Sequence, residues 1–198
     1  MPQEIHITVK CADTEKFKRD CKAIGVKPIV IDLQTANLDV MTSQVIESNN
    51  LLTGGATTYT TVDALEAAGY QVIRKKIEVS PCHPLVPKGS DAIEKASGRY
   101  FEAHIAVQLL ESDTVQETQL RQLCRQLRTH ASTNYFKRGE QIKTLMLTYR
   151  KHTGNMERFT QDLDRILKHL QDFTIIKVIK EYCVYDSNQQ HDKEWMNT

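Results

Sequence analysis

Apolar and polar residues alternate strictly in "EIHITVK", with Ile5, Ile7 and Val9 on one side and Glu4, His6 and Thr8 on the other. That period predicts a half-buried strand. The period then lengthens. Asp13 is placed to cap a helix, Phe17, Cys21 and Ile24 fall at i, i+4 and i+7, and Gly25 supplies the stop. "KPIVIDL" reads as a second strand and "VMTSQVI" as a weaker third. The glycine- and threonine-rich "LLTGGATTYTT" reads as a mobile loop before a short helix, "TVDALEAAGY", ended by Gly69, and "QVIRKKIEVSP" returns to a strand closed by Pro81.

Residues 81–98 hold three of the five prolines and little periodicity, which predicts a linker. The same order then follows again. "RYFEAHIAVQL" alternates as a strand, and Thr114 with Glu117 forms a capping box ahead of Leu120, Leu123, Cys124 and Leu127. "THASTN" carries residue types of caps and turns, "TNYFKRG" is a candidate strand, and "QIKTLMLTYR" is a stronger one. Asn155 opens a helix with Phe159, Leu163, Ile166 and Leu170 inward, and "TIIKVIKEYCVY" is the last strand.

The opening "EIHITV" returns as "EAHIAV" at 102–107, and "GYQVIRKKIEV" aligns without a gap on "DFTIIKVIKEY". These repeats predict an α+β chain of two tandem ferredoxin-like (βαββαβ) lobes with antiparallel sheets, related by a pseudo-two-fold duplication. The expected boundaries are 1–80 for the first lobe, 81–98 for the linker, 99–185 for the second lobe and 186–198 for a tail that holds Trp195, the chain's one tryptophan.

Strand parity then sorts the chemistry. His6, Thr8, Arg74, Lys76 and Glu78 share the polar face of the first lobe, and His104, Lys177 and Glu181 that of the second. Two imidazoles suit acid–base work, and the cations with Thr8 and the carboxylates suit orienting a phosphorylated ligand. The expectation is a cleft between the lobes with His6 and His104 catalytic and Thr8, Arg74, Lys76, Glu78, Lys177 and Glu181 binding substrate. It would bind a phosphorylated small molecule or nucleotide, with phosphoesterase-like hydrolysis left open. Its rival is a non-enzymatic module that offers open sheet faces to a partner protein or a second subunit. Glu4, His6, Glu102 and His104 also form a set of metal-ligand types, although no metal or other cofactor is assigned.

Charge and composition narrow the partners. With 26 Lys and Arg against 25 Asp and Glu, the net charge of +1 gives no broad field for bulk duplex nucleic acid or an anionic membrane. Sheet recognition of single strands needs exposed aromatics, for which Tyr100 and Tyr182 are the candidates. The five cysteines include no CxxC pair and read as reduced thiols, and the polar N-terminus has no signal-peptide core. A cytoplasmic protein is expected, with homo-oligomers allowed.

Two resemblances add to these readings. "HIT" at 6–8 is similar to the His-x-Thr/Ser motif of the 2H (two-histidine) phosphoesterases, whereas "HIA" at 104–106 lacks the hydroxyl. That likeness implies an acid and a base histidine on a phosphodiester. "EIHITV", "VIRKKIEVSP", "GRYFEAHI", "HASTN" and "VYDSNQQHDKEW" together resemble a family of uncharacterised bacterial and plant proteins. That resemblance spans nearly the whole chain and implies a single unit without implying an activity.

Overall fold

The computed structural model describes residues 1–33, 38–93, 97–134 and 141–192. The elements run β1 (Pro2–Lys10), α1 (Thr14–Ile24), β2 (Lys27–Asp32), β3 (Leu38–Glu47), α2 (Leu51–Ala67) and β4 (Gln71–Val79). They continue as β5 (Tyr100–Leu110), α3 (Thr114–Gln126), β6 (His130–Asn134), β7 (Ile142–Lys151), α4 (Met156–His169) and β8 (Thr174–Asp186), with a last 3-10 turn, Gln189–Asp192.

All eight strands pair antiparallel and close into one barrel in the order β1-β3-β2-β6-β7-β5-β8-β4. This overturns the two tandem ferredoxin-like lobes and their pseudo-two-fold duplication across a cleft. The physical reason is at the edges. A four-stranded antiparallel sheet leaves two unpaired edge strands, and here each edge finds an edge of the other half. β4 pairs with β8 from Lys76↔Asp186 to Val79↔Tyr182, and β2 pairs with β6 at Ile31↔Asn134 and Asp32↔Thr133. The faces assigned to a cleft, or to an incoming partner, therefore line the inside of a closed wall.

The alternating pattern decides which residues go in and which go out. Ile5, Ile7 and Val9 of β1, Ala103, Ile105 and Val107 of β5 and Leu145 and Leu147 of β7 are fully buried under the helices. They join Phe17 and Cys21 of α1, Leu65 of α2, Leu120 of α3 and Phe159 and Leu163 of α4 in the apolar layer outside the barrel. The Phe159 ring stacks on Phe101 at 5.0 Å and on Tyr149 at 5.8 Å between centroids.

Helix ends follow local rules. The Asp13 side chain accepts from the Lys16 amide, Asn155 from the Arg158 amide, and Gly25 closes α1 at φ 82° in the left-handed region. In α3 the capping oxygen belongs to Asp113, which accepts from Gln116, while Glu117 instead pairs with Arg121 and Lys143. Two expectations fail here. "THASTN" is strand β6, and the supposed mobile loop is the first half of α2, capped by Asn50. Its threonines return their hydroxyls to the helix, Thr57 to the Thr53 carbonyl, Thr58 to Gly54 and Thr60 to Ala56. The helix is held by burial of Gly54, Thr58, Thr61, Val62 and Leu65 rather than by propensity.

The proline-rich stretch buries His83 and Val86, and Ile93 bridges to Gly154. All five cysteines are free thiols. Trp195 and the rest of 193–198 lie outside the described residues, as does most of "TNYFKRG". No helix among the described residues is long and apolar enough to cross a membrane.

Gly54 and Gly55 offer a paired test. A Cβ on Gly54 would stand 2.3 Å from Gln3 Oε1, and the Gln3 amide is pinned because its Nε2 donates to the Ser48 carbonyl at 2.8 Å and to Asn50 at 3.1 Å. A Cβ on Gly55 would meet nothing within 4 Å. Gly54→Ala should lower stability by about 1–3 kcal/mol through overpacking, while Gly55→Ala should raise it by about 0.5–1 kcal/mol through helix propensity. Urea unfolding of the two variants reads the difference, and equal shifts would refute this close approach.

Candidate functional site

Closing the wall brings the inward residues of β1, β4, β5, β7 and β8 onto one another. Arg74 of β4 donates through Nε and Nη2 to both oxygens of Asp186, at 2.9 and 2.6 Å, and through Nη1 to Asp192 at 2.9 Å. Arg150 of β7 pairs with Glu102 of β5 and with Asp192. Lys76 lies between Glu78 at 2.8 Å and Glu102 at 3.2 Å. The Tyr100 hydroxyl donates to Asp186 at 2.8 Å. Arg74, Lys76, Glu78, Glu102 and Asp192 are all buried.

The two histidines enter this network from its ends with matching surroundings. His6 Nε2 is 3.2 Å from Glu78 and 3.5 Å from Glu4, and its Nδ1 lies 3.1 Å from the Thr42 carbonyl. His104 Nε2 is 2.9 Å from Glu102 and 3.5 Å from Glu181, and its Nδ1 lies 3.1 Å from the Thr148 hydroxyl. Glu78, Lys76 and Glu102 connect the two imidazoles in sequence. Glu4, His6, His104 and Glu181 keep side-chain exposures of 31%, 13%, 24% and 14%, so they are the members that solvent reaches.

Burial and charge split the carboxyls apart. Burial alone would raise Glu78, but Lys76 and His6 bring it down to about 2. Burial likewise works against ionised Glu102, and Arg150, Lys76 and His104 override it and hold that carboxyl well below its usual range. Glu181 has no such cation of its own. Burial, then Glu78, Glu102 and Glu4, push it up to about 9, with Lys76 opposing. A carboxylic acid that keeps its proton at neutral pH thus sits beside an imidazole whose other neighbour is an ionised carboxylate.

The structure therefore brings together His6, His104, Arg74, Lys76, Glu78 and Glu181. Thr8 is buried on the same face, level with Arg74 in the β1–β4 register. Lys177 stands apart, exposed on β8 opposite Ala106. Sequence reasoning left Tyr100 and Arg150 out of the site, brought Asp186 and Asp192 near it only as one of two readings of the tail, and did not place Glu102 at its centre. Strand parity carried a signal for Arg150, since Leu145 and Leu147 face the helices and Thr148 and Arg150 then fall on opposite sides of Tyr149, both inward. Of metal-ligand types, Asp39, His191 and Asp192 approach within 4.8 Å of one another. Asp192 already carries two guanidinium groups, which repel a cation, and the remaining pair is a hydrogen bond of 2.9 Å between Asp39 and His191. That bond raises the proton affinity of His191.

No family model and no curated protein matches the chain. Among solved structures it is similar to a putative monooxygenase from Fusobacterium nucleatum, at 9% identity and a TM-score of 0.34, covering 95% of this chain and 94% of that one. It is also similar to the acetolactate synthase small subunit from Thermotoga maritima, at 11% identity and a TM-score of 0.26, covering 94% and 96%. Likenesses at these scores carry no argument about function.

Two measurements check the network. Arg74→Met leaves Asp186 and Asp192 short of a counter-charge in the interior and should cost about 3–5 kcal/mol in urea unfolding. Glu181 gives a pH signature. Its folded proton affinity lies above the unfolded value of about 4.3, so the folded state loses relative stability as pH rises from there towards 9. Glu181→Gln should match the wild type in melts near pH 4 and exceed it increasingly up to about pH 9. Glu78, lowered to about 2, acts in the opposite direction, with stabilisation present above about pH 4.3 and lost as pH falls towards 2.

Proposed function

We propose that the barrel binds a small polar molecule where Glu4, His6, His104 and Glu181 reach solvent, and moves protons on it. The observation that carries this reading is a division of labour inside the network. The buried cations Arg74, Lys76 and Arg150 are each matched by two carboxylates, whereas the members that meet solvent are all carboxyl or imidazole groups. Such an opening favours ligand amines and hydroxyls, which donate to carboxylates and imidazoles, over a phosphate ester, which needs a cation with charge to spare.

The roles follow from the contacts. Ionised Glu102, 2.9 Å from His104 Nε2, places the imidazole proton on that nitrogen and leaves Nδ1 to accept from the Thr148 hydroxyl. Glu181 holds a transferable proton 3.5 Å from the same Nε2. A ligand group seated beside Glu181 can take its proton, with Glu181 as general acid, and the carboxylate so formed can accept one back, while His104, held by Glu102 and Thr148, orients the pair. His6, between Glu78, Glu4 and the Thr42 carbonyl, is placed to do the same for a second polar group of the ligand.

A thermal-shift and NMR screen of amines, polyols and phosphoesters tests the reading. Hits are expected among the amines and polyols, and His104→Gln and Glu181→Gln should each weaken them about tenfold to a hundredfold. A response confined to phosphoesters, or hits that both variants retain at full strength, would sink it.

A further inference from the structure

We propose that Arg74 and Arg150 form an oxyanion site which the chain's own Asp192 occupies, and which the phosphate or carboxylate group of a small molecule takes over when the C-terminal turn withdraws. This goes beyond the proton-transfer reading and does not depend on it. The two arginines come from β4 and β7, which are not neighbours in the wall, yet their guanidinium groups meet on the two oxygens of one carboxylate across the interior. Guanidinium donors converging on one oxyanion from two directions are a common means of gripping it.

The charges that remain after Asp192 leaves make the site receptive. Arg74 keeps both bonds to Asp186, and Arg150 keeps Glu102. Arg74, Lys76 and Arg150 then balance Asp186, Glu102 and Glu78, three against three, so no net negative charge turns an anion away. The Nη1 of each guanidinium, which Asp192 had accepted from, then faces the emptied position. A monoanionic phosphate or carboxylate restores the sum that Asp192 provided.

The turn is also built to be displaced. Gln189, Gln190, His191 and Asp192 include no apolar side chain, so the hydrophobic effect does not hold the segment in its seat. Apart from Asp192 it is held by polar contacts. Asn188 Nδ2 donates to the Ile73 carbonyl at 3.3 Å, Gln189 Nε2 to the Gly98 carbonyl at 2.5 Å, and His191 meets Asp39 at 2.9 Å. Water can replace each of these, and β8 stays anchored at Asp186 while the turn of residues 187–192 moves.

Inorganic phosphate against sodium chloride of equal ionic strength is the probe. In the wild-type chain, saturating phosphate should speed hydrogen exchange at the Ser187, Asn188 and His191 amides several-fold, since these bond to Lys75, Asp186 and Asn188 when the turn is seated. Asp192→Ala, freed of its internal competitor, should bind phosphate at least tenfold more tightly than the wild type, and adding Arg150→Gln should remove that gain. Unchanged exchange at the three amides overturns the proposal even if the alanine variant does not fold. So does an alanine variant that binds phosphate no better than the wild type, or a gain that survives loss of Arg150.

Discussion

Glu102 accepts from Arg150, Lys76 and His104 at the centre of a wall that excludes water, and the arrangement of the interior depends on that convergence. Taking charged groups out of water costs several kcal/mol per ion unless each finds a counter-charge and hydrogen bonds. Inside a closed barrel those partners can come only from other inward side chains. Three permanent cations therefore draw in four deeply buried carboxylates, Glu78, Glu102, Asp186 and Asp192, and the last is delivered by the chain folding back after β8. A fifth carboxyl, Glu181, keeps its proton through its own burial and the nearby charges of Glu78, Glu102 and Glu4. One requirement, a counter-charge for each buried ion, thus ties the tail into the ionic network of the wall.

The stabilising apolar contacts lie on the other side of the sheet. Side chains of β1, β5 and β7 pack outward against four helices, so the barrel has its hydrophobic layer outside and its ionic layer inside. That inversion frees the interior for chemistry at the expense of stability. Buried ion pairs contribute little net stability compared with apolar residues of similar volume, but they fix which strand positions face one another. Register matters more here than in an apolar core, because a slip of one residue would turn every paired charge outward.

Much of this was legible in the sequence at the level of elements. Alternation in "EIHITVK" and "RYFEAHIAVQL" placed the right residues on the polar face, and Asp13, Gly25 and Asn155 marked helix ends that the structure has. Closure was not legible, because pairing of β2 with β6 and β4 with β8 is decided by edges more than a hundred residues apart, and no local pattern encodes it. The same ignorance turned six correctly grouped residues into a cleft. Arg74 and Lys76 looked free for a ligand because the carboxylates that neutralise them are remote in sequence, Asp186 and Asp192 above all. α2 was misread for a different reason. Glycine and threonine disfavour isolated helices, and only the packing of Gly54 on Gln3 and of Thr58, Thr61 and Leu65 beneath the helix overrides that preference.

Among the described residues the two joints of the ring differ in length. β4 and β8 share a ladder from Lys76↔Asp186 to Val79↔Tyr182, while among the described residues β2 and β6 are joined through Ile31↔Asn134 and Asp32↔Thr133. Every other strand pairing lies within residues 2–79 or within residues 100–186. Contacts of short sequence separation form at lower entropic cost, so each half can assemble before either joint does. Until the joints form, Arg74 lacks Asp186 and Lys76 lacks Glu102. The charged interior is thus complete only when the ring is closed, and in an open ring those charges stay in contact with water.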